Sequence, residues 1–229
     1  LIVHAHNEPQ SFNAALKDLA TVELQAQGHT VQISDLYAMN WNPVASAADF
    51  GQRTRPDYLV YALEQRHGHA NGTLAADILG ELDKLGWADL VIFNFPLYWF
   101  SVPAIMKGWF DRVLVSGLCY GGTRFYDKGG LKGKRAMMTL TLGGQPHMLQ
   151  AGGVHDALDD MLRPLLRGTL GYVGLTVLPP FAAYHVPYIA PEERTAMLED
   201  YRVRLRSLDD VQPLHFPSLD QFDDKLYPR

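Results

Sequence analysis

The chain has 229 residues, 47% hydrophobic and 20% charged, with a formal net charge of −5 at pH 7, enough for one main globular core and with no basic stripe for nucleic acid. No Lys/Arg run exceeds Lys134-Arg135, and no segment approaches the roughly 18 consecutive apolar residues of a membrane-spanning helix. The lone Cys119 excludes an intramolecular disulfide and a cysteine-rich metal cluster, which fits a reducing, cytoplasmic setting.

Residues 1–5 read as a buried strand that starts without an initiator Met, so the natural start is expected upstream. Ser11-Phe12-Asn13 then opens a helix, with Ala15, Leu16, Leu19, Ala20, Val22 and Leu24 at helical spacing until Gly28 stops it. Residues 30–35 predict a second strand. Residues 37–72, with Pro43, Gly51 and Pro56, predict an irregular excursion, long for a compact domain. An amphipathic helix over 74–86 follows, and then a near-continuous apolar strand over 89–95, of the kind buried on both faces of a parallel sheet. Next come a helix over 104–115, a Gly-rich link through Gly117, Gly121, Gly122, Gly129 and Gly130, and a strand over 135–142. A long helix over 155–171, headed by His155, and a strand over 175–179 complete the alternation.

This pattern predicts an α/β fold: a five-stranded parallel sheet in the flavodoxin-like order 2-1-3-4-5, with right-handed crossovers and helices on both faces. Beyond Pro180 a helix runs from Pro191 to about residue 208, with Glu192 and Glu193 favourably placed in its first turn. Residues 213–229 show no period. The expectation is a single domain over 1–212, followed by a strap lying on the surface or on a partner subunit.

Three loops meet at the carboxyl edge of such a sheet, where open α/β folds bind ligands. The second, Pro96-Leu97-Tyr98-Trp99-Phe100, puts three large aromatics on a turn, which is costly in water unless a flat ligand such as a flavin covers them. In the first, Ser11 and Asn13 lie at a helix N-terminus able to attract a phosphate, and His6 adds a donor; an ordinary Ser cap beside a solvent-facing His is the alternative. The Gly-x-Gly-x-x-Gly and phosphate-loop signatures are absent, which argues against a Rossmann dehydrogenase and a nucleotide triphosphatase. In the third, Thr141-Leu142-Gly143-Gly144 lets the backbone approach a flat ligand and present N–H groups, although such pairs end many strands. His155 can hold a proton near neutral pH, or merely face solvent at a helix start. His67 and His69 read as loop histidines rather than metal ligands, and neither Cys119 nor any Gly-x-Ser-x-Gly signals a nucleophile.

Several ordered motifs carry a resemblance that runs from the first strand to about Leu214. They are His6-Asn7-Glu8-Pro9-Gln10-Ser11-Phe12-Asn13, Ser34-Asp35-Leu36-Tyr37-Ala38-Met39-Asn40, Pro96-Leu97-Tyr98-Trp99-Phe100, Lys107-Gly108-Trp109-Phe110-Asp111-Arg112-Val113 and Tyr126-Asp127-Lys128-Gly129. They resemble the FAD-dependent NAD(P)H:quinone oxidoreductase family of the DT-diaphorase type, here a bacterial-type member with a shortened C-terminus. The resemblance implies non-covalent FAD, NADPH or NADH as hydride donor, and a homodimer with sites at its interface. It also implies ping-pong transfer of two electrons to a quinone. By position, His6, Ser11, Phe12 and Asn13 would hold the pyrophosphate side of FAD. Pro96, Leu97, Tyr98, Trp99 and Phe100, with Thr141, Leu142, Gly143 and Gly144, would flank the isoalloxazine. Trp99, Phe100, Gly143 and Gly144 would border the substrate, with Tyr120 and Tyr172 covering it from the second subunit. Three departures stand out. Leu149 replaces a family Tyr that assists the reduced flavin, leaving His155, or His147, to act alone. Gly122 replaces a second covering aromatic, so the mouth is wider or shaped by Arg124 or Tyr188. The family's C-terminal extension, which helps bind the nicotinamide donor's adenosine end, is largely absent. The alternatives are an FMN- or FAD-dependent azo- or nitro-compound reductase and a flavodoxin-like electron carrier or regulatory flavoprotein.

Overall fold

The computed structural model describes Leu1–Arg229. Its sheet runs β2-β1-β3-β4-β5, with β1 at Ile2–His4, β2 at Ile33–Asp35, β3 at Leu90–Pro96, β4 at Arg135–Thr141 and β5 at Thr176–Val177. Every pairing is parallel, and the longest, β3 with β4, runs from Leu90↔Arg135 to Pro96↔Thr141. The predicted strand order is therefore the observed one.

A further strand, β6 at Phe181–Ala183, pairs with Thr139–Thr141 of β4, while β5 pairs with Arg135 and Ala136. Together they occupy the fifth position of the sheet. The single strand expected there is interrupted because Pro179 and Pro180 have no N–H to give to a ladder. The second strand also falls short of its predicted span, since β1 offers it only three residues to pair with.

Alternation along each strand sends side chains to opposite faces. Ile2, Ile92 and Met137 pack against Leu16, Ala20 and Leu24 of α1 (Phe12–Ala26) and Tyr201 and Leu205. On the other face Val91, Phe93, Phe95 and Met138 meet a larger core. That core includes Ile78, Leu82 and Leu85 of the helix Ala76–Trp87 and Trp109 of the helix Ala104–Val113. Covering both faces is what an all-parallel sheet requires.

Two predicted elements change. The excursion over 37–72 contains a helix, α2 at Tyr61–Asn71, so His67 and His69 are helical rather than loop residues. No apolar stripe announces it. It is held instead by polar side chains: the Glu64 carboxylate accepts from Thr54 N–H at 2.9 Å, and Gln65 donates to the Asp111 carbonyl at 3.0 Å. The predicted helix over 155–171 starts only at Leu158, as α5 (Leu158–Leu165), and widens into a π-helical stretch, Leu166–Gly171. Pro164 removes an N–H inside it, which favours the change of pitch. His155 thus sits in the turn before the helix rather than at its head. The remaining helices are α3 (Ala76–Trp87), α4 (Ala104–Val113) and α6 (Pro191–Arg206).

Residues 213–229 meet the sheet's outer edge at their start and then pass to the loop that carries Asp127. Leu214 N–H donates to Val177 O at 2.8 Å, and the Asp127 carboxylate accepts from Ser218 Oγ (2.8 Å) and Leu219 N–H (3.1 Å).

The excursion is fastened by a buried ion pair. Arg112 of α4 donates to Asp49 through Nε (3.1 Å) and Nη2 (2.8 Å), and through Nη1 to Asp77 (2.7 Å) and the Asn42 carbonyl (2.9 Å). Burial alone would raise the Asp49 carboxyl; Arg112, Tyr61 and the Ser46 N–H outweigh it and hold the pKa below the ordinary value. A lowered folded pKa means stabilisation that is complete above the unfolded value, about 3.9, and lost as pH falls through the folded one. Arg112→Met should cost about 3–5 kcal/mol in urea unfolding at pH 7, by leaving Asp49 buried without its counter-charge. It should also remove this acid-side share of the wild-type pH dependence.

Candidate functional site

A closed network of buried side chains ties the three loops together. Asn13 in the first turn of α1 donates through Nδ2 to Asn94 Oδ1 of β3 (3.0 Å), and Asn94 Nδ2 returns a bond to the Asn13 carbonyl (3.1 Å). Thr141, the last residue of β4, donates through Oγ1 to Asn13 Oδ1 (2.7 Å). The Asn13 side chain is thereby spent on the protein, and an anion at this helix end would meet its backbone N–H instead. Asn13 is the hub, and Asn94, invisible as a functional residue in an apolar strand, is the partner that ties it to β3.

Around this network the backbone presents donors. Ser11 caps α1, its Oγ accepting from Ala14 N–H at 3.1 Å, while the N–H groups of Phe12 and Asn13 donate to nothing in the chain. His6 Nδ1 accepts from Glu8 N–H at 3.0 Å, which fixes the ring proton of the neutral form on Nε2. Burial lowers the His6 pKa, so the neutral donor form prevails at neutral pH. The N–H groups of Trp99, Phe100, Gly143, Gly144 and Gln145 are likewise unpaired.

The aromatic turn is strained as well as bare. Tyr98 and Ser101 exchange two 3.0 Å backbone bonds, so Trp99 and Phe100 form a two-residue turn with φ of 50° and 58°. Positive φ at both central residues is the province of Asn-Gly in hairpins, and an L residue there pays about 1–2 kcal/mol. Trp99 is 96% exposed. Strain combined with exposure of this size makes the turn a candidate binding surface.

His155 reaches this turn: its ring lies 5.4 Å from that of Phe100. Leu149 does not compete with it for a polar role, being buried beneath the third loop, with its Cδ1 2.8 Å from where a Cβ on Gly144 would stand. His147 is exposed. Pro96 closes β3 against Thr141, and Leu97 N–H continues the ladder to Thr141 O at 2.8 Å. Leu142 is tied to the neighbouring segment through Ala183 O (3.0 Å).

Tyr120 and Tyr172 lie together, 5.7 Å apart, in a separate cluster where Phe125 stacks on Tyr172, and no aromatic pair joins them to Trp99 or Phe100 within the chain. Arg124 folds back onto the carbonyls of Gly117 and Leu118, whereas the exposed Tyr188 borders Gly143. Burial pushes the Cys119 thiol up to about 12, which makes it a poor nucleophile. A cavity of about 540 Å³ is at the opposite edge of the sheet; its Arg135 and Arg206 are already paired with Asp209 and Glu23. One functional candidate escaped the sequence: Arg194 of α6 donates to the Val186 carbonyl at 3.2 Å, and its buried Nε has no partner. Its only mark in the sequence is its place directly after the acidic pair Glu192-Glu193.

A family model described as flavodoxin-like fold matches residues 1–206. Mouse ribosyldihydronicotinamide dehydrogenase (quinone) is 46% identical over 94% of this chain and 94% of its own length. Rat NAD(P)H dehydrogenase (quinone) 1 is 42% identical over 97% of this chain and 82% of its own length. A solved Klebsiella pneumoniae protein designated a quinone reductase superposes with a TM-score of 0.95 at 38% identity, covering 100% of this chain and 92% of its own. This chain belongs to the flavodoxin-like NAD(P)H:quinone oxidoreductase family. As a member it is an oxidoreductase, and the family implies a flavin and a nicotinamide donor. The residues fit a flavin in this quinone oxidoreductase. Unpaired N–H groups stand at the anionic and the ring ends, Arg194 has an orphaned cationic N–H, and a bare aromatic turn lies between elements that the asparagine network fixes. Asn94→Leu should strand the Asn13 amide and lower unfolding free energy by about 1–3 kcal/mol in urea titrations.

Proposed function

We propose that this protein reduces quinones by two electrons at the expense of NAD(P)H, using non-covalent FAD in a ping-pong sequence at a site completed by a second copy of the chain. The observation that carries the reading is the strained Trp99-Phe100 turn, bare to solvent, with unpaired N–H groups at the same sheet edge as those of Gly143, Gly144 and Gln145. A bound flavin supplies the hydride-accepting and hydride-donating chemistry.

The chain's own residues do the rest. His6 Nε2–H, the Ser11 hydroxyl and the N–H groups of Phe12 and Asn13 bind the pyrophosphate at the positive end of α1. Pro96, Leu97, Tyr98, Trp99 and Phe100 form one wall of the ring site, and Thr141, Leu142, Gly143 and Gly144 form its polar edge. Trp99, Phe100, Gly143 and Gly144 orient the nicotinamide and then the quinone, while Tyr120 and Tyr172 of a second copy exclude water from above. The Arg194 guanidinium, held at the Val186 carbonyl, offers a second cationic point for an anion, which favours the diphosphate of FAD over FMN. His155, braced on Phe100, stabilises negative charge at the ring's carbonyl edge through an imidazole N–H, acting alone because Leu149 has no hydroxyl. Relatives are named for ribosyldihydronicotinamide and for NAD(P)H, so both donors belong in the assay. A cytoplasmic setting, where Cys119 stays reduced, goes with this reading.

The purified protein should be yellow and release FAD rather than FMN on chromatography; a colourless protein would remove the reading. Light scattering at micromolar concentration should give a dimer. In stopped-flow traces His155→Ala should slow flavin reduction by NADPH about 10- to 100-fold, the worth of a hydrogen bond to a charged group. Rapid two-electron turnover with a benzoquinone should persist in the wild type, which a one-electron carrier would not support.

A further inference from the structure

Both carbonyl oxygens of the Gly143-Gly144 pair are held by one residue. His185 N–H donates to Gly144 O at 2.9 Å, and His185 Nδ1 lies 2.9 Å from Gly143 O. A carbonyl oxygen only accepts, so Nδ1 carries the proton in this contact. The segment continues the sheet's ladder past its end: Leu142 N–H donates to Ala183 O (3.0 Å), and Val186 N–H to Leu142 O (3.2 Å).

The consequence for the loop is geometrical. A trans peptide sets the carbonyl of one residue opposite the N–H of the next, and the chain has no cis bond. Drawing the Gly143 and Gly144 carbonyls onto His185 therefore turns the N–H groups of Gly144 and Gln145 away from it. Those two N–H groups donate to nothing in the protein. Two glycines without side chains to fix their peptide planes would otherwise sample many orientations.

His185 holds this post at a cost. Its φ is 58° and ψ 20°, the left-handed region that glycine and asparagine occupy more readily than histidine. Its ring is braced by Tyr188, 4.9 Å away, whose Cε2 also stands 3.7 Å from where a Cβ on Gly143 would be. A strained non-glycine residue spending its backbone and its side chain on adjacent carbonyls is placed for that purpose rather than for the turn it begins.

We propose that His185 is a positioning residue that aims the Gly144 and Gln145 N–H groups at the flavin's polar edge. The inference rests on the flavin reading above. It assigns the preorganisation of the third loop to a side chain outside the three loops themselves.

The test compares the holoenzymes of His185→Gly, His185→Asn and His185→Ala by the rate of flavin release on dilution, followed by flavin fluorescence, and by the visible absorption bands of the bound flavin. Glycine accepts the left-handed backbone but has no ring donor, while asparagine accepts it and keeps a side-chain N–H. Release should quicken about 5- to 10-fold in the Gly and Ala variants, the worth of one hydrogen bond, and stay within about twofold of wild type in the Asn variant. The band positions should follow the same division. Equal loss in all three variants would assign His185 to packing against Tyr188 and overturn the proposal. Wild-type release in His185→Gly would overturn it as well. A wild-type protein purified without any flavin would instead refute the flavin reading, and this inference with it.

Discussion

The asparagine–asparagine–threonine network is the constraint on which the candidate site depends. A parallel sheet delivers its strand ends to one edge, but the loops that leave them diverge, and hydrophobic packing fixes their depth more firmly than their mutual spacing. Three directed bonds among Asn13, Asn94 and Thr141, each buried, convert that edge into a fixed frame. Low local dielectric strengthens such bonds and makes any unsatisfied member costly, so the arrangement resists partial opening. Helix α1, the aromatic turn and the glycine pair are all within a few residues of a member of this network.

The frame allows strain to be stored above it. Trp99 and Phe100 stay in left-handed conformations because Tyr98 and Ser101 close the turn beneath them and β3 is anchored along seven residues of β4. Strain held this way keeps the backbone N–H groups displayed rather than turned back into the chain. The ion pair of Arg112 with Asp49 does comparable work for the excursion, fastening residues that have little apolar surface of their own.

Much of this was legible in the residues, for definite reasons. The strands followed from continuous apolar runs such as Val91-Ile92-Phe93, their order from the alternation with helices, and the start of α1 from a Ser cap ahead of apolar spacing. Three features were not legible. Helix α2 lacks an apolar stripe, since Glu64 and Gln65 secure it through partners ten to fifty residues away. The split of the fifth position falls at Pro179 and Pro180, and the resumption of pairing at Phe181 is a tertiary contact with β4. The inward turn of Asn13 as hub, its pairing with Asn94 and the orphaned Arg194 Nε are properties of tertiary contacts, which local pattern does not encode. His155 was identified for its chemistry, yet its place in a turn rather than at a helix start followed from Asp156, whose φ of 60° ends any helical continuation toward it.

The broken fifth strand has a consequence of a different kind. Sheet edges expose rows of N–H and C=O groups that recruit other strands, and a protein that displays a bare tryptophan can ill tolerate a second adhesive feature. Pro179 and Pro180 remove donors from one edge, and the strap that begins at Leu214 covers Val177 beside them. The other edge, β2, is only three residues long. With both edges blunted, Trp99 is left exposed on a molecule with little capacity for uncontrolled strand addition.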